Sequence, residues 1–531
     1  MFIDGRKMES GAVIETDLAI IGAGAAGITI ARELAGSGIS VTLIESGGFE
    51  FDADTQDLYE GESVGVDYPL TSSRLRYFGG STNHWGGWCR PLEPIDFEKR
   101  DWVPYSGWPV TREELNPFYD RARDICQIKS GAFDAPAAWE AGGTPMPLAG
   151  SEVETRFFLY SPPTRFGQVY RSRIEKAKNV TCYLNSNVME IVPGANGAEV
   201  DHLDVGTLSG IRFTIKPKSC VLACGGIENA RMLLLSNSVM KTGLGNDNDV
   251  VGRFFMEHPH IGSPASFVVT DKDFVASWYR TYTKMQTQAG TVMIRGCLMF
   301  SPDYLRRTES LGTVITFAPA SPVMAVPEAP VAGASDEEKA KAAKAAARDA
   351  GLRNVLQLAR GTNSNATPSD EVGWRFGVGC ATEQAPDPAS RITLSDRKDA
   401  LGLPRTRLDW HLKKSDADNL RGNLMAVARA FGGWGEGRVQ LLFPERDAWT
   451  EAEGWGNHHL GTTRMGSDPK LSVTDGDCRV HGMSNLFIAG SSLYPTGATV
   501  NPTLTIVALA VRLSDHLKRR FAQSASATPV Q

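Results

Sequence analysis

The feature that most constrains this chain is Gly22-Ala-Gly-Ala-Ala-Gly27, set between an apolar run and a helical one. Residues 17–21 read as a strand, 26 to about 37 as a helix and 40–45 as a second strand. Together they make one βαβ unit of about 30 residues. Gly22 permits the tight turn, Gly24 lets backbone approach a pyrophosphate, and Gly27 lets helix and strand pack. Ala25 and Ala26 open the helix, whose free N–H groups face the phosphates. Glu45 closes the second strand and can accept hydrogen bonds from a ribose. A dinucleotide site is therefore expected, although this fingerprint alone does not separate FAD from NAD.

The 531 residues are 42% hydrophobic and 22% charged, with a net charge of -6. That balance suits a globular enzyme and argues against a nucleic-acid groove or an anionic membrane surface. Many of the 54 glycines stand in short runs, which points to backbone passing close to a ligand. The eight cysteines form no CxxC pair, and Cys220 and Cys224 read as reduced core residues. The first residues carry no apolar signal segment and no run reaches membrane-spanning length, so a soluble, cytoplasmic enzyme is expected. The nine histidines show no metal-ligand spacing, and His258-Pro-His260 reads as a turn.

Further along, a glycine-rich loop spans Phe78 to Gly87, and residues 102–128 read as a turn and a helix. Residues 219–223 form a strand, ended by Gly225-Gly226 and followed by a helix over 228–235. Residues 326–334 are rich in Pro, Ala and Gly, and 335–350 read as a solvated surface helix. Ser335 and Glu338 form its capping box, and Gly351 stops it. Near the end, 485–489 read as a strand and 503–521 as a mostly apolar helix. Asn501 before Pro502 fits a helix N-cap.

Asn457-His-His-Leu-Gly-Thr-Thr-Arg-Met-Gly466 resembles the HxxGTxRMG motif of the glucose–methanol–choline (GMC) oxidoreductase family. Residues 485–492 with Asn501-Pro-Thr-Leu-Thr505 resemble the end of that family, and Val221 to Arg231 its middle FAD-contacting segment. The resemblance implies an α/β Rossmann-like FAD-binding domain plus an α+β substrate domain with an antiparallel sheet. It implies a cofactor domain built from 12–100, 165–266 and 452–522 and a substrate domain from 101–164 and 267–451. A surface insert at 326–351 and a disordered tail at 523–531 complete the expected organisation.

The resemblance also implies oxidation of an alcohol by hydride transfer to flavin N5, with His458 as base and Asn501 as partner. Histidine suits this work because its ordinary pKa lies near working pH. Gly79, Gly80, Ser81, Asn83, His84, Gly225, Gly490, Pro502 and Thr503 join the expected cofactor contacts. His84 stands where some relatives bond a His to the flavin, so it either carries that bond or packs beside the ring. Gln384 and His459 are expected near the substrate, and Arg464 and His481 in structural roles. Trp374 and Phe376 could stack on a sugar ring or belong to the core. The nearest branch of the family points to a ring hydroxyl of a sugar or glycoside, with oxygen or another carrier as acceptor. A non-sugar primary or aromatic alcohol is the alternative, and a non-redox flavin lyase a more distant one.

Overall fold

The computed structural model describes residues 1–129, 133, 145, 146, 148, 152–287, 290–324, 334–340, 342, 343, 371–435, 437–442 and 454–527. Its first sheet is the Rossmann-like one. Parallel strands run in the order Phe2–Asp4, Val180–Leu184, Val41–Ile44, Val13–Ile21 and Arg212–Leu222. Leu486–Ile488 adds to the last of these in parallel, beside Cys220–Leu222. Val200–Gly206 and Asn187–Pro193 extend the sheet antiparallel. Leu18, Ala19 and Ile20 are fully buried, as a strand covered on both faces requires.

The turn after that strand is dictated by glycine. Gly22 takes φ 99°, and a Cβ on Gly27 would lie 1.9 Å from the Gly22 carbonyl oxygen. Only hydrogen at both positions allows the helix Ala25–Leu34 to start this close to the strand. Arg121, on the helix Arg112–Ile125, bridges Glu33 of the first helix and Asp515 of the last. Thr111 and Glu114 cap the Arg112–Ile125 helix reciprocally. The last helix runs Thr503–Ala527, so 523–527 are helical where a disordered tail was expected. Residues 528–531 lie outside the described residues. Ser335 and Glu338 form the expected capping box; most of the insert, Gly351 included, lies outside the described residues.

Among the described residues the second sheet has nine strands, all paired antiparallel. Its order is Gly437–Leu441, Pro259–Val269, Glu371–Thr382, Thr313–Met324, Gly290–Phe300, Val153–Tyr160 and Trp88–Cys89. Trp88–Cys89 and the start of Pro259–Val269 join this sheet although both fall in stretches expected with the cofactor. A third sheet joins Gly61–Gly65 to Arg391–Lys398 and Pro404–Trp410.

Cross-strand partners share a face. His260 lies opposite Ala381, Gly379 opposite Gly262 and Thr316, Met293 opposite Tyr160, and Tyr160 opposite Trp88. Trp88 lines the large cavity described below and the His260 ring stands near His458, so this face looks onto the cavity. Trp374 and Phe376 alternate with the Gly377 and Gly379 positions and occupy the opposite face, where Phe376 is fully buried. Neither is placed to stack on a ligand in the cavity.

Candidate active site

A cavity of about 410 Å³ runs along the carboxyl ends of the parallel strands. At one end it is lined by Glu45, Ser46 and Asn187, and in the middle by Gly22, Gly24, Ala25, Ala26, Gly225 and Gly490. At the other end stand Gly80, Ser81, His84, His458, His459, Asn501, Pro502 and Thr503. Gly27, Gly79 and Asn83 stand behind this wall rather than on it. Gly27 packs against Gly22, and a Cβ on Gly79 would meet the Asn83 amide. Asn83 itself donates to the Phe78 carbonyl at 3.0 Å. Glu45 accepts from the N–H groups of Ala23 (2.9 Å) and Gly47 (3.0 Å), which ties the turn to the next strand. Burial holds its carboxyl above the ordinary range.

Three histidines meet at the far end. His458 and His258 face each other Nδ1 to Nδ1 at 2.9 Å, and His258 Nε2 lies 2.9 Å from the Gly497 carbonyl oxygen. The other side of the His458 ring meets Asn501, with Nδ2 at 3.1 Å from Nε2. The His260 ring centre is 5.9 Å from that of His458. His459 turns away, its Nε2 2.8 Å from the Tyr68 hydroxyl. Burial holds all four imidazoles in the neutral form, with His258 pushed down to about 4 and His459 to about 3.

One carboxylate fixes the pair. Glu257 Oε2 accepts the His258 N–H at 2.6 Å, and Oε1 accepts the His458 N–H at 2.6 Å and the Tyr68 hydroxyl at 2.8 Å. Burial pushes its carboxyl up to about 7, although these donors and the Gly456 N–H favour the charged form. Gly456 is constrained too: a Cβ there would sit 2.5 Å from His458 Nδ1.

The structure brings some of the residues named from sequence to the cavity and leaves others away from it. The helix begins at Thr503, so the N-cap position falls on Pro502, and the Asn501 amide is directed to His458 instead. Gln384 does not line the cavity. Its Oε1 accepts from Glu257 N and Trp410 Nε1, and its Nε2 donates to His411 O, which leaves the fully buried amide no reach to a substrate. His258-Pro-His260 is no turn; it leads into the strand Pro259–Val269 and brings His258 against His458. A buried Glu-His-Pro-His run was the available signal. Arg74 and Arg76 were also missed. Both line the cavity and pair with Glu228, which Arg231 shares. Arg464 donates to the Tyr105 carbonyl, and His481 Nε2 meets the Ser472 hydroxyl at 2.9 Å.

A family model for GMC oxidoreductase matches residues 386–510, and one for FAD dependent oxidoreductase matches 17–243. The chain belongs to the GMC oxidoreductases. Its relatives include the 2-methyl-1,2-propanediol dehydrogenase of Mycolicibacterium austroafricanum, 26% identical over 96% of each chain. The fructose dehydrogenase large subunit of Gluconobacter japonicus is 25% identical over 95% of this chain and 98% of its own. Among solved structures, pyridoxine 4-oxidase from Mesorbium loti superposes with a TM-score of 0.55 at 16% identity. It covers 95% of this chain and 99% of its own, and shares the fold. This GMC oxidoreductase is an FAD-dependent enzyme acting on CH–OH groups.

Its cavity fits FAD. A Cβ on Gly24 or Gly225 would meet no protein atom within 4 Å, so backbone N–H groups lie open to the cavity at the start of two helices. Arg74 and Arg76 add positive charge to the same wall, as a cofactor with two phosphates requires.

Proposed function

We propose that this chain oxidises a ring hydroxyl of a sugar or glycoside, with His458 as the base and Asn501 as its partner. The observation that carries the proposal is the His458–Asn501 contact of 3.1 Å at the end of a dinucleotide cavity. Bound FAD supplies the hydride acceptor. An alcohol carbon releases hydride easily only as its O–H proton leaves, so a neutral imidazole beside the oxygen is needed. Burial keeps His458 neutral. Asn501 is uncharged, so it can bind the same oxygen without competing for the proton.

The sugar reading draws support from the fructose dehydrogenase subunit, which aligns along almost the whole chain. A small aliphatic diol is the second reading, favoured by the equally extensive match to a propanediol dehydrogenase.

We further propose that His84 is bonded to the flavin. Its ring lines the cavity and makes no hydrogen bond to another side chain or to backbone among the described residues. Burial, with Arg165 nearby, keeps it neutral and its lone pair free.

Anaerobic mixing with monosaccharides, glycosides, diols and aromatic alcohols tests the main proposal. One class should bleach the visible flavin band, and admitting air then shows whether oxygen is the acceptor. His458→Ala should slow bleaching by about a hundredfold or more. Bleaching at the wild-type rate in that variant would remove His458 as the base, and bleaching by diols alone would replace the sugar reading.

A further inference from the structure

We infer that His258 fixes the tautomer of His458, directing the lone pair of Nε2 toward the substrate side through a one-way chain from the Gly497 carbonyl. The inference rests on the reading of His458 as the base and adds a positioning residue to it.

The direction follows from donor and acceptor counts. A backbone carbonyl only accepts, so the proton of the contact between Gly497 O and His258 Nε2 sits on nitrogen. His258 is buried and neutral and has one ring proton, so its Nδ1 carries a lone pair. The 2.9 Å contact between the two Nδ1 atoms then requires the proton on His458 Nδ1. His458 is also neutral, so its Nε2 is bare, and the Asn501 Nδ2 group donates to it. Reversing the chain would set lone pair against lone pair at Gly497 and N–H against N–H at Asn501. Each such buried mismatch is costly, so the chain holds one polarity.

For proton abstraction the Asn501 N–H turns from Nε2 to the substrate oxygen, which leaves the Nε2 lone pair open to the proton. The substrate O–H bond breaks, its proton forms a bond to Nε2, and His458 becomes an imidazolium. Its Nδ1–H continues to donate to His258, now as a charge-assisted hydrogen bond, which is the stronger kind. The electron pair of the broken O–H bond stays on oxygen, where it would favour loss of hydride from the adjacent carbon to bound FAD. Glu257 holds both histidine backbones, so the 2.9 Å contact is fixed by the fold rather than by a mobile side chain.

The test is ¹⁵N NMR of the histidine-labelled holoenzyme, with the His458 signals identified by their loss in His458→Gln. Wild type should show Nδ1 protonated and Nε2 bare; a protonated Nε2 overturns the inference without any variant. His258→Gln can still donate to Gly497 and accept from His458 Nδ1, so it should keep that tautomer. His258→Leu should lose it and slow flavin reduction on the order of a hundredfold. An unchanged tautomer in His258→Leu also overturns the inference. Because the NMR signature does not depend on turnover, its failure is distinct from a failure of His458 as the base, which the His458→Ala rate reports.

Discussion

At the scale of single residues the site depends on one carboxylate serving two histidines. Glu257 offers an oxygen to the backbone N–H of each, at 2.6 Å. In Glu257→Gln the amide NH₂ would face one of these N–H donors, leaving a buried donor unsatisfied at a cost of about 1–3 kcal/mol. Flavin reduction should fall on the order of a hundredfold as His258 and His458 lose their relation. Stopped-flow reduction at the wild-type rate would show that the backbone alone holds the pair. His458 and Asn501 were legible from motif position because their side chains meet each other. Glu257 and His258 were not, since their importance lies in a contact made across 200 residues of chain. Gln384 misled for the converse reason. A polar residue near the expected site was read as a ligand, but its amide is spent on Glu257, Trp410 and His411.

At the scale of elements, the strand–turn–helix at Val13–Leu34 was readable because glycine spacing and apolar runs are local signals. The antiparallel sheet was expected only as a class. Its strand order depends on pairings between segments far apart, and its cavity face is set by register, which the sequence alone does not show. The loop that carries His84 lies between these cases. Its turn Gly80–Asn83 is held from outside by Arg165, whose Nη1 donates to Thr82 O at 3.1 Å and Trp85 O at 2.9 Å. The Trp85 indole adds a bond to Thr164 O at 2.9 Å. With both neighbours pinned, His84 is presented to the cavity in one place, as a bond to flavin requires. Acid-precipitated protein should therefore stay yellow, and His84→Ala should release its colour into the supernatant. Colour released from the wild type as well would leave His84 as a packing contact.

At the scale of the whole molecule, segments from both ends of the sequence return to one cavity. The same convergence buries several histidines together, which makes stability depend on pH. His459 is the clearest case, because burial and the nearby Arg74 push it down from 6.5 to about 3. Above pH 6.5 the ring is neutral in both states and costs nothing. Below it the unfolded chain takes up a proton that the fold refuses, so stability is lost as pH falls toward the folded value. Between pH 7 and pH 5 this one residue should cost about 2 kcal/mol. His459→Gln can still donate to the Tyr68 hydroxyl but has nothing to protonate. Urea unfolding of both holoenzymes should show the wild type losing more stability than the variant on acidification, by about that amount. Parallel losses in the two proteins would mean that His459 takes its proton inside the fold, and the buried network joining it to Tyr68 and Glu257 would have to be redrawn.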